Sequence, residues 1–287
     1  MGLTVTPVEG FGVEITGLDI RHLSPADFAE IQAQFAAEGV IFFRDQETDE
    51  TDHIAFAERW GAININRFFA AHPEHPQIAL VAKEPDQKDN IGGGWHTDHS
   101  YDFEPALGSV LVARVLPETG GDTMFASMYK AYESLDPAIK EKIEPLRALH
   151  SGRHIFGTDP NSIYQNGDIG SGETGSGRIG NAEVADTLED PIHPIVLRHP
   201  LSGKKALYVN PAFTREVVGL EKAESDALLS ELYTHVISHK DCHHRFVWRP
   251  GSIAMWDNRS TWHWALNDYQ GQRRVMHRIT IEGCALH

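Results

Sequence analysis

The chain has 287 residues, 41% hydrophobic and 23% charged, enough apolar material for one large or two small domains with a sizeable core. A formal net charge of −16 without any cluster of Lys and Arg excludes a partner read through a phosphate backbone, so no nucleic acid is expected. No apolar run reaches the ~18 residues that span a bilayer, and there are only two cysteines, Cys242 and Cys284; the expectation is a cytoplasmic protein without membrane association, with homo-oligomerisation left open.

In chain order, Met1-Gly2-Leu3-Thr4-Val5-Thr6 fits an acylation pattern, but one acyl chain without a basic patch anchors only marginally. Residues 4–8 and 12–16 read as two short strands joined by a Glu-Gly turn. Ser24 caps a helix that has Pro25 in its first turn and Phe28, Ile31, Phe35 and Ala36 at helical spacing to about Glu38. A buried strand follows at Val40–Phe43, then a helix capped by Thr48 that runs to Gly61. Residues 61–95 are mostly irregular, with one strand at 77–82, and Gly92-Gly93-Gly94 reads as flexible backbone. Strands at 107–116 and 122–125, joined by Pro117-Glu118-Thr119-Gly120-Gly121, suit the wall of a β-barrel or sandwich.

Helices are predicted at 127–135 and 137–143, then a strand at 146–151. Residues 155–190 contain seven glycines among Ser, Asp and Asn, with little to bury, and are expected to form a surface lid or insertion. Order resumes with strands at 192–198 and 205–210, a helix at 221–238, and strands at 245–248, 252–256, 260–264 and 274–282. His235, His239, Cys242, His243 and His244 have zinc-like spacing in part but no completing ligand, so they read as a solvated helix end suited to the helix dipole. Asn258-Arg259-Ser260 matches a glycosylation acceptor between two core strands and is expected to be unmodified. Neither an internal repeat nor a dividing linker is visible, which predicts a single domain over 1–287.

The chemistry centres on Gly94-Trp95-His96-Thr97-Asp98-His99-Ser100. On an extended strand His96 and Asp98 leave the same face and can close on one ion. The best third ligand is His263, and two imidazoles with one carboxylate are the facial set of non-haem Fe(II) oxygenases. Alone, His-x-Asp in a chain with 17 histidines is more often a surface pair. Near the C-terminus the period of two places Arg274, Met276, Arg278 and Thr280 on one strand face and Val275, His277, Ile279 and Ile281 on the other. Two arginines on a buried face each need an anion, and at ~3.3 Å rise their Cα atoms stand roughly 13 Å apart, so they are expected to grip separate carboxylates, or opposite ends of the site, rather than the same group.

Trp95-His96-Thr97-Asp98, Gly120-Gly121-Asp122-Thr123, Trp256-Asp257-Asn258-Arg259 with His263, and Arg273-Arg274 through His277-Arg278 together resemble the taurine dioxygenase and 2,4-dichlorophenoxyacetate dioxygenase (TauD/TfdA) family, from about residue 4 to 283. The resemblance implies an α+β fold: a double-stranded β-helix (jelly-roll) core with flanking helices and a long Gly-rich insertion. It implies Fe(II) held by His96, Asp98 and His263, 2-oxoglutarate held through its distal carboxylate by Thr123 and Arg274, and O2 as oxidant. Arg278 then faces an anionic primary substrate or helps hold 2-oxoglutarate. Asp98 favours hydroxylation, since related halogenases lack that carboxylate. Where taurine dioxygenase uses a His and a Tyr on its substrate this sequence has Asn66 and Phe69, and an Asn before the His-x-Asp motif becomes Gly92; with Phe68 and Tyr101 this implies a larger, more apolar small molecule than taurine. A metal-dependent hydrolase and a non-catalytic metal or 2-oxoglutarate sensor are the competing readings.

Overall fold

The computed structural model describes residues 2–158 and 179–286; residues 159–178 of the expected insertion lie outside the described residues. Strands β1 (Thr4–Pro7) and β2 (Val13–Thr16) pair antiparallel, followed by helix α1 (Pro25–Glu38), β3 (Val40–Phe43) and α2 (Glu50–Glu58). Ser24 caps α1 as expected, accepting from Asp27 N while the Asp27 carboxylate accepts from Ser24 N. The cap of α2 is Asp49 and not Thr48: Asp49 and Asp52 exchange the same reciprocal pair of bonds, and an ionised cap also suits the positive helix end.

Then come β4 (Ile63–Asn64), β5 (Ala79–Lys83), β6 (Gly108–Val115), β7 (Thr123–Ser127), α3 (Met128–Ser134), α4 (Pro137–Ile143), β8 (Arg147–His150), α5 (Arg153–Phe156) and α6 (Ala182–Thr187). The chain continues through β9 (Ile192–Pro194), β10 (Val196–Arg198), β11 (Lys205–Leu207), β12 (Thr214–Val217), α7 (Lys222–Ser238), β13 (His243–Phe246), β14 (Ile253–Asp257), β15 (Thr261–Ala265) and β16 (Arg274–Ile281). The expected strand at 192–198 is thus broken at Ile195, and β12 was not anticipated.

The architecture is mixed α/β. A large sheet runs β1-β2-β3-β14-β6-β16-β4 with β5 also on β16, and a small sheet runs β13-β7-β15. The turn at 117–121 closes no hairpin: it carries the chain from β6 in the large sheet to β7 in the small one, and residues 258–260 do the same between β14 and β15. Strand alternation then builds the layers. Val40, Phe42, Leu111, Ala254, Trp256 and Met276 of the large sheet pack with Phe125 and Phe246 of the small one. The opposite face of the large sheet, with Ile41, Phe43, Val110, Ile253 and Met255, is covered by Ile31 and Phe35 of α1 and Phe56 of α2. The outer face of the small sheet is covered by α3, α4 and α7 through Ala126, Met128, Leu228, Leu232 and Trp262.

Two expectations are adjusted. The His-rich end of α7 is not wholly solvated: Cys242 and His243 are buried, and His243 Nε2 donates to Val236 O at 2.9 Å. Its role at the helix C-terminus holds, with Lys240 Nζ donating to Ile237 O. Asn258 is 1% exposed, which leaves no room for a glycan. No helix among the described residues is long and apolar enough to cross a membrane.

Between α2 and β6, His53 is fully buried and donates Nε2–H to Val110 O at 3.2 Å. Burial first, then the neighbouring Arg114 charge, push its pKa down to about 3, so the folded ring is neutral. The unfolded ring titrates near ~6.5, so the unfolded state binds the extra proton and stability must fall as pH drops below that value toward about 3. Urea midpoints measured between pH 7 and pH 4.5 should therefore decline, and decline less steeply in His53→Gln; equal slopes in the two proteins would remove His53 from the account of acid sensitivity.

Candidate active site

The segment around His96 is not a strand. His96 makes one antiparallel bridge to His263 of β15, with His96 N donating to His263 O at 3.1 Å and His263 N to His96 O at 2.8 Å. Residues directly opposite in such a pair project from the same face, and the two imidazoles lie 4.1 Å apart between centroids. The chain then turns at Asp98, with His99 at φ 61, and Asp98 still reaches the same point. Its Oδ1 is 3.7 Å from His96 Nε2 and its Oδ2 is 3.7 Å from His263 Nε2. One ligand atom from each of His96, Asp98 and His263 lies within 4.8 Å of the other two, so the expected trio is brought together.

Each member is held in a form able to bind a cation. His96 Nδ1 donates to Gly94 O at 2.8 Å, which leaves Nε2 as the acceptor facing Asp98. The glycines before it are therefore not merely flexible: Gly92 has φ +78, its O accepts from Ala265 N, and a Cβ there would stand 3.2 Å from His96 Cε1. Burial alone would raise the Asp98 pKa, but Arg278, His263, His96 and His99 outweigh it and hold the carboxyl well below its ordinary range. Burial, with the Arg278 charge nearby, holds the His263 imidazole well below its ordinary pKa against the opposing pull of Asp98. The His263 ring is wedged by Trp256, 4.6 Å away, and by Phe125.

The turn that delivers β15 is itself fixed. Arg259 donates from Nε and Nη2 to both carboxylate oxygens of buried Asp257, and His199 Nε2 donates to Asp257 Oδ2 at 3.0 Å. Thr97 Oγ1 donates to Asn258 O, tying the His96 segment to the same turn. Most of the Trp256-Asp257-Asn258-Arg259 motif thus positions ligands without being one.

These groups open on a cavity of about 540 Å³, within the roughly 300–1,000 Å³ of small-molecule sites. Thr123, Arg274 and Arg278 line it, as expected. Arg274 is 3% exposed, and its Nε and Nη2 have no hydrogen-bond partner; burial pulls its pKa down, the sign of a cation lacking an anion. Gly121, at φ +71, lets Arg274 pass, since a Cβ would meet Arg274 Cδ at 3.1 Å. Thr123 accepts from Trp248 Nε1 at 3.0 Å, and Arg274 lies over the Trp248 ring. Arg278 is already engaged: Nη1 donates to Asp98 Oδ2 at 2.9 Å and its guanidinium stacks on Phe69, leaving only Nε buried without a partner.

Of the expected substrate residues, Phe69 and Tyr101 line the cavity, while Asn66 does not. Asn66 Oδ1 accepts from the backbone N–H of Phe68 and Phe69 and so shapes the loop instead. Phe68 lies behind, stacked on Phe156 at 4.3 Å. Sequence reading missed Ile91, Phe156, Phe213 and Trp256 as walls. Of these only Trp256 carried a signal, its place beside the Asp-Asn-Arg turn.

Two imidazoles, one carboxylate and an unsatisfied guanidinium in one apolar cavity form a donor set able to hold a divalent cation beside a small anion. Residues 4–280 match the family described as Taurine catabolism dioxygenase TauD, TfdA family. The chain is 32% identical to the alpha-ketoglutarate-dependent sulfonate dioxygenase of Saccharomyces cerevisiae, over 90% of its own length and 61% of that relative's. It is 33% identical to an alkylsulfatase of Acinetobacter baylyi, covering 95% of the chain and 82% of the relative. A solved taurine dioxygenase from Burkholderia xenovorans superposes with a TM-score of 0.79 at 28% identity, over 99% of this chain and 92% of that one. The chain belongs to the TauD/TfdA family of alpha-ketoglutarate-dependent dioxygenases, oxidoreductases that use Fe(II), 2-oxoglutarate and O2.

Trp256 is 1% exposed and packs on both His263 and Phe125. Trp256→Ala should cost about 3–5 kcal/mol of stability, read from denaturant midpoints, because the cavity left cannot close between two sheets. A loss under about 1 kcal/mol would show that the ring is not the platform for His263.

Proposed function

We propose that this chain is an Fe(II)- and 2-oxoglutarate-dependent dioxygenase that hydroxylates an unactivated C–H bond of a small anionic, partly apolar or aromatic substrate, releasing succinate and CO2. The observation that carries the reading is that three converging donors and a buried guanidinium with unpartnered N–H groups share one cavity. His96, Asp98 and His263 hold the metal, and Arg274 with Thr123 takes the distal carboxylate of 2-oxoglutarate. Metal and 2-oxoglutarate, when bound, would activate O2 as the oxidant: two of its four electrons would come from the keto acid as it loses CO2 and two from the substrate C–H bond, with one oxygen going to succinate and the other to the product hydroxyl.

The remaining work falls to the protein. Asp98 meets the cation already ionised, so no proton needs to be released on binding. Phe69, Tyr101, Phe156 and Phe213 present an apolar wall that orients a hydrocarbon or aromatic body and keeps water from the reacting centre. Arg278 holds Asp98 and offers its spare N–H to the anionic end of the substrate. The names sulfonate dioxygenase and alkylsulfatase borne by two relatives fit an anionic head on an apolar body. Phe69 and the self-engaged Asn66 do not offer taurine the hydrogen bonds that a Tyr and a His at those two positions would.

In this reading the two sheets are the walls of a double-stranded β-helix (jelly roll) and residues 1–287 form one domain. The unpaired Cys242 and Cys284 suit the cytoplasm. A hydrolase on the same ligands would leave Arg274 without a task.

Two measurements test this. O2-dependent succinate formation should rise on adding alkyl sulfates or sulfonates and vanish in His263→Ala, whose far-UV spectrum stays native; sulfate release without O2 would favour the hydrolase. Arg274→Ala should weaken 2-oxoglutarate about ten- to a hundredfold, the worth of a hydrogen bond to a charged group. Arg278→Ala should mainly weaken the anionic substrate. Equal loss of 2-oxoglutarate in both variants, with substrate binding untouched, would move Arg278 into the cosubstrate site and withdraw the acidic substrate.

A further inference from the structure

Strand β16 has a second set of donors on its other face. Arg278 and Arg274 point into the cavity, so by alternation His277 points outward, toward α2 and the loop His72-Pro73-Glu74-His75-Pro76. There one ligand atom from each of Glu50, His72 and His277 lies within 4.8 Å of the others. Glu50 Oε1 is 3.4 Å from His277 Nδ1. The His72 ring stands 5.3 Å from His277 and 5.2 Å from His75, centroid to centroid.

We propose that Glu50, His72 and His277 form a second metal site, distinct from the dioxygenase centre, for a borderline divalent ion such as Zn(II). Two imidazoles and a carboxylate suit Zn(II) or its neighbours in the first transition row far better than Mg(II) or Ca(II), which take oxygen shells.

The junction already draws positive charge, since Arg114 sits between His277 and Glu50. His277 Nδ1 accepts a hydrogen bond from Arg114 Nε at 3.2 Å, so its lone pair points at this junction, and a carboxylate oxygen lies 3.4 Å away. Two acceptors that close need a proton or cation between them. In the described structure Arg114 serves, with Nε also 3.7 Å from Glu50, yet its Nη2 is buried without a partner, so the guanidinium fits its seat imperfectly.

His277 is buried, but Glu50 and His72 are partly exposed, so an ion can enter from solvent. Tetrahedral bonds of ~2.0–2.1 Å need donor atoms closer than they stand here. The movement falls to the side chains of His72 and Glu50, both partly exposed; the His72 backbone itself is held, its N–H donating to Ile78 O at 2.8 Å beside the Ala71–Ala79 bridge. Arg114 competes for the same lone pair, which makes the site weaker than a closed structural zinc.

The test is the Zn(II) content of the full chain, stripped with a chelator, dialysed against Zn(II) and measured by mass spectrometry. Wild type should hold two equivalents. One should be lost in His263→Ala, which reports on the first centre. The other should be lost in His72→Ala and in Glu50→Gln, both at partly exposed positions whose replacement spares the core, and it should bind more tightly in Arg114→Gln. A wild type holding one equivalent, or His72→Ala and Glu50→Gln each still holding two, overturns the proposal. So does loss of the second equivalent in His235→Ala instead, which would place it on the stacked His235 and His239 pair.

Discussion

The two backbone hydrogen bonds exchanged by His96 and His263 are the constraint on which the site depends. They join segments far apart in sequence at a single pair of residues, and the geometry of an antiparallel bridge then sets both rings on one face without any further device. Everything nearby protects that bridge. Gly92 allows close approach beneath His96, Thr97 is tied to Asn258, and Trp256 and Phe125 confine the His263 ring. Asp257, held by Arg259 and His199 and wholly buried, keeps the turn between the two sheets from relaxing. Removing one member of such a buried ionic group leaves the others uncompensated, so its value lies in fixing one geometry more than in net stability.

Charge is distributed to match. The cavity is mostly apolar, and its ionic groups are arranged so that some are satisfied within the protein and one is not. Asp98 has Arg278 and two imidazoles; Arg274 has unmet donors. A buried cation short of partners is costly in isolation, and the cost is recovered only when an anion arrives. Gly121, at positive φ, serves that end by letting the loop before Thr123 pass close to the Arg274 stem.

Much of this was legible because local rules and the global fold agree. Ser24 with Pro25 marked α1, four consecutive apolar residues marked β3, and the period of two correctly put Arg274 and Arg278 on one face. The errors have physical causes. Thr48 and Asp49 are both good caps, and only the reciprocal bond from Asp52 decides between them. Strand β12 has two exposed residues between buried ends, too little alternation to see. The aromatic walls were invisible because Phe156 and Phe213 come from a four-residue helix and a loop, brought beside Tyr101 only by packing. His72 and His277 passed unnoticed for the same reason: one sat in a stretch read as irregular, the other on the strand face opposite the chemistry.

The central claim is that His96, Asp98 and His263 present one cation to a keto acid anchored by Arg274. Anaerobic addition of Fe(II) and then 2-oxoglutarate to the wild-type chain tests it most directly. The account predicts a weak visible charge-transfer band that saturates with 2-oxoglutarate and is absent in Asp98→Ala. No band in the wild type, or an equal band in Asp98→Ala, would contradict it.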